Sequence, residues 1–294
     1  MGRIQTVLGD VTPEKLGRTL THEHLKMEFT YFYSKPPEQI AEEFEKELSL
    51  KNVGYLRQYP YSSKWNLILN DNLSKQVIYD EIELYKGFGG GAIVENSTEG
   101  LKRDAAFLKD VSKKTGVHII SGTGYYIAGT QEEKTLKSAK EELYNHMMKE
   151  LTEGCFEDAS VKAGFMGEIA SVWPIQGTLL DDETVLEFSN LGTYCQYDLF
   201  GAEVSYYQLH TQTDMPSDSQ RMAKIKLLID EGKEDKILMS HDIHTKHRLA
   251  TFGGHGYSHI INNVLPRMKS KGIPQETIDK ITVENPARWL TISK

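Results

Sequence analysis

The chain has 294 residues, of which 39% are hydrophobic and 26% are charged, and its formal net charge is -8. This length suits one large domain or two small ones, and the composition excludes a disordered chain. No apolar run reaches the ~18 residues of a membrane-spanning helix. We therefore expect no membrane as a partner, and because Asp and Glu outnumber Lys and Arg, we expect no nucleic acid either.

The chain has two cysteines, Cys155 and Cys195, which are too few for a disulfide framework. Its first residues also lack the apolar segment of a secretory signal peptide. We therefore expect a reduced, cytoplasmic protein.

Short β-branched or apolar runs alternate with longer helix-like stretches along the chain. This alternation is typical of βα units on a parallel sheet, and right-handed crossovers would arrange them as an α/β layer or barrel. The predicted strands are 18–22, 91–95, 117–121, 163–168, 192–198 and 236–242, and the predicted helices between them are 98–115, 131–151, 182–191 and 219–232.

A long polar segment at about 26–87 separates the first two predicted strands. It contains an acidic stretch, 38–50, that predicts a helix with a solvated face. The chain has no low-complexity tract and no repeat. We therefore predict a single domain, 1–294, in which 26–87 forms an insertion.

The first predicted strand ends in His22, Glu23 and His24. Side chains alternate across a strand, so the two histidines point the same way and can bind one metal ion. Two polar strand residues without any ligand would give the same pattern. The spacing alone does not separate these alternatives.

Two further predicted strands end in carboxylates, Glu168 and Asp242. The carboxyl ends of parallel strands meet at one edge of a sheet or barrel, where α/β enzymes assemble their active sites. Each carboxylate by itself could be a solvated or helix-capping group. Together with His22 and His24, however, they favour a metal site.

The residues around these positions resemble the phosphotriesterase signature of the amidohydrolase superfamily. The resemblance to the phosphotriesterase-related proteins of animals extends along nearly the whole chain, with the motifs in the family's order. The runs that carry it are GRTLTHEHL at 17–25, GGAIVEN at 90–96, GEI at 167–169, YDLFG at 197–201, SHDIH at 240–244, GGHGYSH at 253–259 and NPARW at 285–289.

The resemblance implies a (β/α)8 TIM barrel of the metal-dependent hydrolase type with a two-metal centre. His22, His24 and Asp242 would hold the more buried divalent cation, and Glu168 would bridge both ions. Zinc is the expected metal, because imidazole and carboxylate ligands suit it. Asp242 would also be the catalytic residue, which takes the proton of a metal-activated water and passes it to the leaving group.

The family pattern breaks after the fourth predicted strand. Only 21 residues lie between Trp173 and Cys195, whereas a single βαβ unit takes ~30 or more. We therefore predict that two βα units, with strands five and six of the barrel, are missing and that the deletion point lies near 176–177. Six recognisable units would remain in an incomplete barrel.

In the family, the missing strands supply the two histidines of the second metal site. No histidine occurs between His146 and His210, so neither ligand can be assigned here. We therefore expect at most one tightly bound divalent cation. Packing or polar roles are expected for five later histidines, which are His241, His244, His247, His255 and His259.

The expected function is hydrolysis of a small-molecule amide, of the N-acyl taurine or N-acyl amino acid type, or of an ester, through a metal-activated water. The missing units would impair this activity. The alternative is a catalytically silent truncated isoform that acts as a binding or regulatory protein. We expect the barrel to stay open, and its unpaired strand edges would then favour self-association.

Overall fold

The core of the fold is a set of parallel strands that follow one another in a barrel-like order. The computed structural model describes residues 2–168 and 181–293 of the chain. One group of strands pairs in the order β3 (Arg18–Glu23), β4 (Gly90–Glu95), β5 (His118–Thr123) and β6 (Phe165–Met166). A second parallel pair consists of β7 (Cys195–Tyr197) and β10 (Ile237–Met239).

The two groups of strands meet where β10 lies beside β3. The Thr21 hydroxyl oxygen lies 3.2 Å from the carbonyl oxygen of Met239, and the Asp242 N–H donates to the carbonyl of His22 at 3.1 Å. All six predicted strands are thus found close to their predicted bounds. No pairing of β6 with β7 occurs among the described residues, and the predicted deletion point near 176–177 lies outside them.

The central strands are buried on both faces, as is usual for parallel sheets. Ile93 of β4 and Ile119 of β5 belong to the large hydrophobic cluster that the surrounding helices share. Their neighbours Val94 and Ile120 belong to a smaller cluster that includes Leu16. The apolar runs that predicted these strands therefore serve two separate buried surfaces.

Helices follow the strands, as the alternation predicts. They are α1 (Ala41–Phe44), α2 (Val53–Gln58), α3 (Asn72–Gly87), α4 (Ala105–Thr115), α5 (Glu133–Lys137), α6 (Lys140–Thr152), α7 (Asp182–Ser189), α8 (Asp218–Asp230), α9 (Leu265–Ser270), α10 (Gln275–Asp279) and α11 (Asn285–Leu290). No helix among the described residues is both long and apolar enough to cross a bilayer.

Aspartates begin three of these helices. The side chains of Asp71, Asp104 and Asp181 accept hydrogen bonds from backbone N–H groups three residues later, at the starts of α3, α4 and α7. Each cap satisfies an N–H group that the first helical turn leaves without a partner. The caps therefore explain where these helices begin.

Two antiparallel hairpins, which the sequence analysis did not predict, lie outside the parallel strands. The first pairs β1 (Ile4–Thr6) with β2 (Gly9–Val11), and the second pairs β8 (Tyr206–Tyr207) with β9 (His210–Asp214). The second hairpin borders the cleft described below.

The acidic stretch at 38–50 is helical over only a short part, so this prediction was wrong in extent. The Asn52 side chain gives the reason. Its amide donates to the carbonyls of Glu43 at 3.0 Å and Glu47 at 3.1 Å, and its Oδ1 accepts from the Ser49 N–H at 2.7 Å. Such bonds offer the backbone an alternative to the helix.

Part of the predicted insertion packs against the loop that follows β10. Lys246 in this loop is completely buried, and its Nζ pairs with the Asp71 carboxylate and lies 4.3 Å from the centroid of the Trp65 ring. The Lys246 N–H donates to the carbonyl of Asn66 at 3.0 Å. The segment 26–87 therefore supports the end of the barrel at which β10 terminates.

Candidate metal centre

The four residues predicted to bind a metal lie together at the carboxyl ends of their strands. His22 and His24 stand at the end of β3, Glu168 follows β6, and Asp242 follows β10. His22 Nε2 lies 3.7 Å from Glu168 Oε2 and 3.8 Å from Asp242 Oδ1. His24 Nε2 lies 3.9 Å from Glu168 Oε2 and 3.2 Å from Asp242 Oδ1.

These separations suit one small cation. Ligand atoms ~2.1 Å from a tetrahedral zinc ion lie ~3.4 Å from one another, which is close to the observed distances. His22 Nε2 is buried and has no hydrogen-bond partner among the described residues. Because buried polar atoms normally have a partner, this orphaned nitrogen fits a cation, and three of the four side chains, His22, His24 and Glu168, offer ligand atoms that all lie within 4.8 Å of one another. Their role as ligands stays a prediction.

A hydrogen-bonded chain that starts at the end of β4 orients the His24 ring. The Ser97 hydroxyl donates to Glu95 Oε1 at 2.6 Å, so its oxygen accepts the Nδ1 proton of His24 at 2.9 Å. Nε2 of His24 therefore keeps a free lone pair on the side of Glu168 and Asp242. Metal-binding histidines are commonly oriented by such a partner on the other ring nitrogen.

The His22 ring is oriented in the same manner by residues of β7 and the residue after it. His22 Nδ1 lies 3.2 Å from Asp198 Oδ2. The Gln196 amide donates to Asp198 Oδ1 at 2.7 Å, and the Thr21 hydroxyl donates to Gln196 Oε1 at 2.9 Å. With its Nδ1 proton directed at a carboxylate, His22 also presents a lone pair on Nε2 to the centre.

Asp242 has a backbone conformation that residues other than glycine rarely adopt. Its φ is +52°, in the left-handed region. Glu23 is completely buried and accepts hydrogen bonds from the Ser240 hydroxyl at 2.7 Å, the His241 N–H at 2.8 Å and the Ile243 N–H at 3.0 Å. The middle residue of the His-Glu-His motif therefore fixes the turn that presents Asp242.

The His241 side chain is held on the other side of this turn, as the alternation along the last strand predicts. Its Nδ1 donates to Glu23 Oε1 at 2.7 Å, and its Nε2 accepts from the Ile260 N–H at 3.0 Å. Both ring nitrogens are thus engaged away from the candidate ligands. His241 has the polar packing role that we expected.

His244 joins the centre, although we expected only a packing role for it. Its Nδ1 lies 2.8 Å from the Asp242 carbonyl oxygen and 3.2 Å from Asp242 Oδ1, so its proton points at Asp242. Its Nε2 then accepts from the Tyr61 hydroxyl at 3.1 Å. Arg248 Nη1 donates to the same Asp242 carbonyl at 2.9 Å.

The centre favours positive charge. Burial alone would lower the pKa of His22, but the nearby carboxylates, with Asp198 first among them, raise it well above its ordinary value. Burial would likewise raise the pKa of Asp242, yet the imidazoles of His244, His24 and His22 hold it well below its usual range. Such a mixed cluster of imidazoles and ionised carboxylates suits a divalent cation.

The centre opens into a cleft of about 1520 Å³ that His24, Glu168 and Asp242 line. Aromatic side chains form much of its wall. The Phe29 ring centroid lies 5.0 Å from that of His244 and 6.3 Å from that of Tyr126. A cleft of this size accommodates a small organic molecule beside the centre. Further aromatic residues in its lining are Phe32, Tyr61, Tyr206 and Tyr207.

Among the described residues, no second set of ligands adjoins Glu168. His259 Nε2 lies 2.7 Å from Asp218 Oδ2, and the His255 ring stacks on His241 with centroids 5.4 Å apart. These contacts agree with the packing and polar roles expected for the late histidines.

A separate group of side chains, Glu150, Cys155 and Glu157, has spacing that could suit a metal. Arg103 already occupies it, because its Nη2 lies 2.5 Å from Glu150 Oε1 and 2.8 Å from Glu157 Oε2. Burial raises the pKa of Cys155 to about 12. A protonated thiol beside an arginine is a poor metal ligand, so this group is structural.

The sequence analysis missed the residues that orient the ligands. Asp198 and Glu95 end predicted strands with a carboxylate, the same signal that identified Glu168. That signal could have found both. Tyr61 and Arg248 lie in loops, where no local pattern predicts which side chain reaches the centre.

Comparisons with known proteins identify the family. The sequence model of the Phosphotriesterase family matches residues 2–179 and 175–290. A phosphotriesterase-related protein of Drosophila grimshawi is 43% identical over 349 aligned positions, which cover 100% of both chains. Two solved structures are similar in fold. A resiniferatoxin-binding protein from Rhodobacter sphaeroides has a TM-score of 0.91 at 25% identity, covering 98% of this chain and 95% of that one. A lactonase from Listeria monocytogenes has a TM-score of 0.74 at 20% identity, covering 99% and 100%.

The match to the family extends over both parts of the chain that the structure describes. The described strands and helices agree with a TIM-like α/β fold, which the solved relatives share along nearly their whole length. The predicted resemblance is therefore confirmed, and the chain belongs to the Phosphotriesterase family, a family of metal-dependent hydrolases.

Proposed function

We propose that this chain hydrolyses a small amide or an ester by means of a metal-activated water. The observation that carries the proposal is the buried, unpartnered Nε2 of His22, which faces Glu168 Oε2 at 3.7 Å and Asp242 Oδ1 at 3.8 Å. Imidazole and carboxylate donors, which suit zinc, thus converge at the edge of a cleft. The same intact cluster favours an enzyme over a silent isoform that serves only as a binding protein.

A divalent cation at the centre, with zinc as the best match to the donors, would supply water activation and polarisation of the scissile carbonyl. The chain's own groups would do the rest. The Asp242 carboxylate would accept a proton from the attacking water and deliver it to the leaving group. His244, whose Nδ1 lies 3.2 Å from Asp242 Oδ1, would keep that carboxylate oriented during the transfer.

The substrates that we propose first are N-acyl taurines and N-acyl amino acids. The membership of the family and the cleft beside the centre, which accommodates a small organic molecule, support this class. Esters are included because one relative of the same fold is a lactonase.

The metal content of the purified chain tests the proposal. After dialysis against zinc-free buffer, we expect about one zinc ion per molecule, because one set of donors is complete. His22→Ala should lower zinc retention at least about tenfold, since it removes a ligand. Elemental analysis by mass spectrometry measures both values.

The matched control is His146→Ala, which removes a histidine on α6 that lies 3.5 Å from Glu150 and outside the centre. It should leave the zinc content unchanged. Absence of zinc from the unmodified chain, or two ions that His22→Ala removes together, would contradict the assignment.

We further propose that the barrel lacks two βα units. The family model matches in two stretches that meet near 175–179, and the alignment to the fly relative spans 349 positions against 294 residues here. Strands β6 and β7 are not paired with each other among the described residues. Without the histidines of a second site, one cation could activate water but not clamp both reacting oxygens, so hydrolysis would be weak.

An open barrel predicts self-association through its strand edges. The mass in solution should be at least about twice the 33.4 kDa of one chain at ~100 μM, as measured by size exclusion with light scattering. Met166→Lys should shift the chain toward the monomer, because Met166 on β6 is exposed and a lysine blocks edge pairing.

The matched control is Met148→Lys on α6, which introduces the same charge at an exposed position outside the strands. It should leave the mass unchanged. A monomer under all conditions, with or without either lysine, would show that the strand edges are closed.

A further inference from the structure

The structure contains a buried guanidinium whose charge has no acidic partner. Arg248 is 7% exposed and lies in the loop after β10, where it lines the cleft. Its Nη1 donates to the Asp242 carbonyl at 2.9 Å and lies 3.3 Å from His244 Nδ1. Nε and Nη2 make no hydrogen bond to any residue that the structure describes.

No carboxylate of the described residues lies within 4.0 Å of the Arg248 guanidinium, and 169–180 contains neither Asp nor Glu. Burying an ion without an opposite charge is costly, so buried arginines are normally paired. Arg221, which is 4% exposed, follows this rule, because Asp218 Oδ1 lies 3.2 Å from its Nη1.

The neighbours of Arg248 do not neutralise it. Burial and the charge of Arg248 itself hold the pKa of His247 well below its ordinary value. Arg57 on α2 borders the same cleft and forms no ion pair among the residues of 2–168 and 181–293. The Arg248 guanidinium is therefore a buried positive charge in the cleft lining without an ion pair among the described residues.

We propose that Arg248 binds the anionic group of the substrate, a carboxylate or a sulfonate, while the scissile carbonyl lies at the metal centre. The proposal rests on the hydrolase function proposed above. It makes Arg248 a residue that determines specificity for N-acylated amino acids and aminosulfonates over their neutral analogues. The planar guanidinium suits such oxyanions, since two N–H groups can bind two oxygens.

The position of Arg248 also limits the size of the substrate. Asp242 lies between Arg248 and the metal centre. Its carboxylate faces the imidazoles of the centre, and its carbonyl accepts from Arg248 Nη1. The anionic group must therefore lie within a few bonds of the scissile carbonyl.

The test uses two compounds that differ in charge, N-acetylglycine and N-acetylglycinamide, with the zinc-loaded protein. Release of acetate gives kcat/KM for each, and calorimetry gives the two dissociation constants. The unmodified chain should prefer N-acetylglycine at least about tenfold, as expected for a charge-assisted hydrogen bond. Arg248→Met should reduce the preference to less than about threefold.

Two further variants separate recognition from a structural role. Arg248→Lys keeps the charge but loses the planar fork, so it should retain part of the preference. Arg57→Met removes an exposed charge from the same cleft and should change the preference by less than about threefold, because water screens it. A structural defect in Arg248→Met would reduce activity on both compounds equally and leave their ratio unchanged.

Equal kcat/KM for the two compounds in the unmodified chain would overturn the anion site while leaving the hydrolase intact. Hydrolysis of neither compound, combined with an anion preference in binding that Arg248→Met abolishes, would support the site and count against the hydrolase function. An unchanged ratio in Arg248→Met, or failure of the unmodified chain to bind either compound, would overturn the site.

Discussion

Asp242→Asn should reduce kcat/KM for the best amide or ester substrate about 10³-fold, within the range that general acid and base catalysis contributes. The amide of asparagine keeps nearly the same shape but cannot accept the proton of the attacking water. Asp242 is well placed for this role, because it faces the imidazoles of both histidines while Glu23 and Arg248 hold its backbone. The comparison requires proteins with equal zinc content, since Asp242 is also a candidate ligand.

Asp198→Asn is the matched control for this substitution. Asp198 Oδ2 lies 3.2 Å from His22 Nδ1, on the side of the ring away from the centre. It orients a ligand without contacting the substrate, so we expect a loss of about 10-fold. If Asp242→Asn retains kcat/KM within about threefold at equal zinc content, Asp242 does not transfer the proton.

The sequence predicted the parallel strands better than it predicted the long segment between the first two of them. Short β-branched or apolar runs identified all six parallel strands, and in the central strands β4 and β5 these runs are buried on two faces. The segment 26–87 was predicted only as an insertion with one acidic helix. Its main helix is α3, and the predicted one is cut short by hydrogen bonds of Asn52 that no periodic pattern reveals.

The candidate centre could be predicted for a related reason. Parallel strands bring their carboxyl ends to one edge, so His22, His24, Glu168 and Asp242 could be expected together from their places in the sequence alone. The residues that contact these four side chains from outside could not be predicted in this way. Tyr61 and Arg248 reach the centre from loops whose paths depend on tertiary contacts, such as the burial of Lys246 against Asp71.

One residue of the His-Glu-His motif has a function that alternation along the strand conceals. His22 and His24 face the centre, so a strand model assigns Glu23 to the opposite face and gives it no part in the chemistry. In the structure, Glu23 holds the loop that carries Asp242. The motif thus supplies two candidate ligands and, from its middle position, the support for a third candidate, Asp242.

Glu23→Gln should lower the free energy of unfolding by about 3 kcal/mol, because charge-assisted hydrogen bonds are lost and one buried donor loses its partner. Glu23 Oε1 accepts from the Ser240 hydroxyl, the His241 N–H and His241 Nδ1, while Oε2 accepts from the Ile243 N–H. An amide has only one acceptor oxygen, so its NH2 group must face one of these donors. Urea unfolding measures the change.

The same substitution should weaken zinc retention, because the left-handed turn at Asp242 loses its support on both sides. Glu81→Gln provides the matched control, because Glu81 lies on α3 outside the centre. Glu81 is 2% exposed, burial raises its pKa, and its Oε1 accepts from the Thr251 N–H at 2.8 Å and the Thr251 hydroxyl at 3.0 Å. A neutral amide can keep both bonds, so its cost should stay below about 1.5 kcal/mol. Equal losses of stability and zinc in the two variants would mean that Glu23 acts as an ordinary buried carboxylate and does not position Asp242.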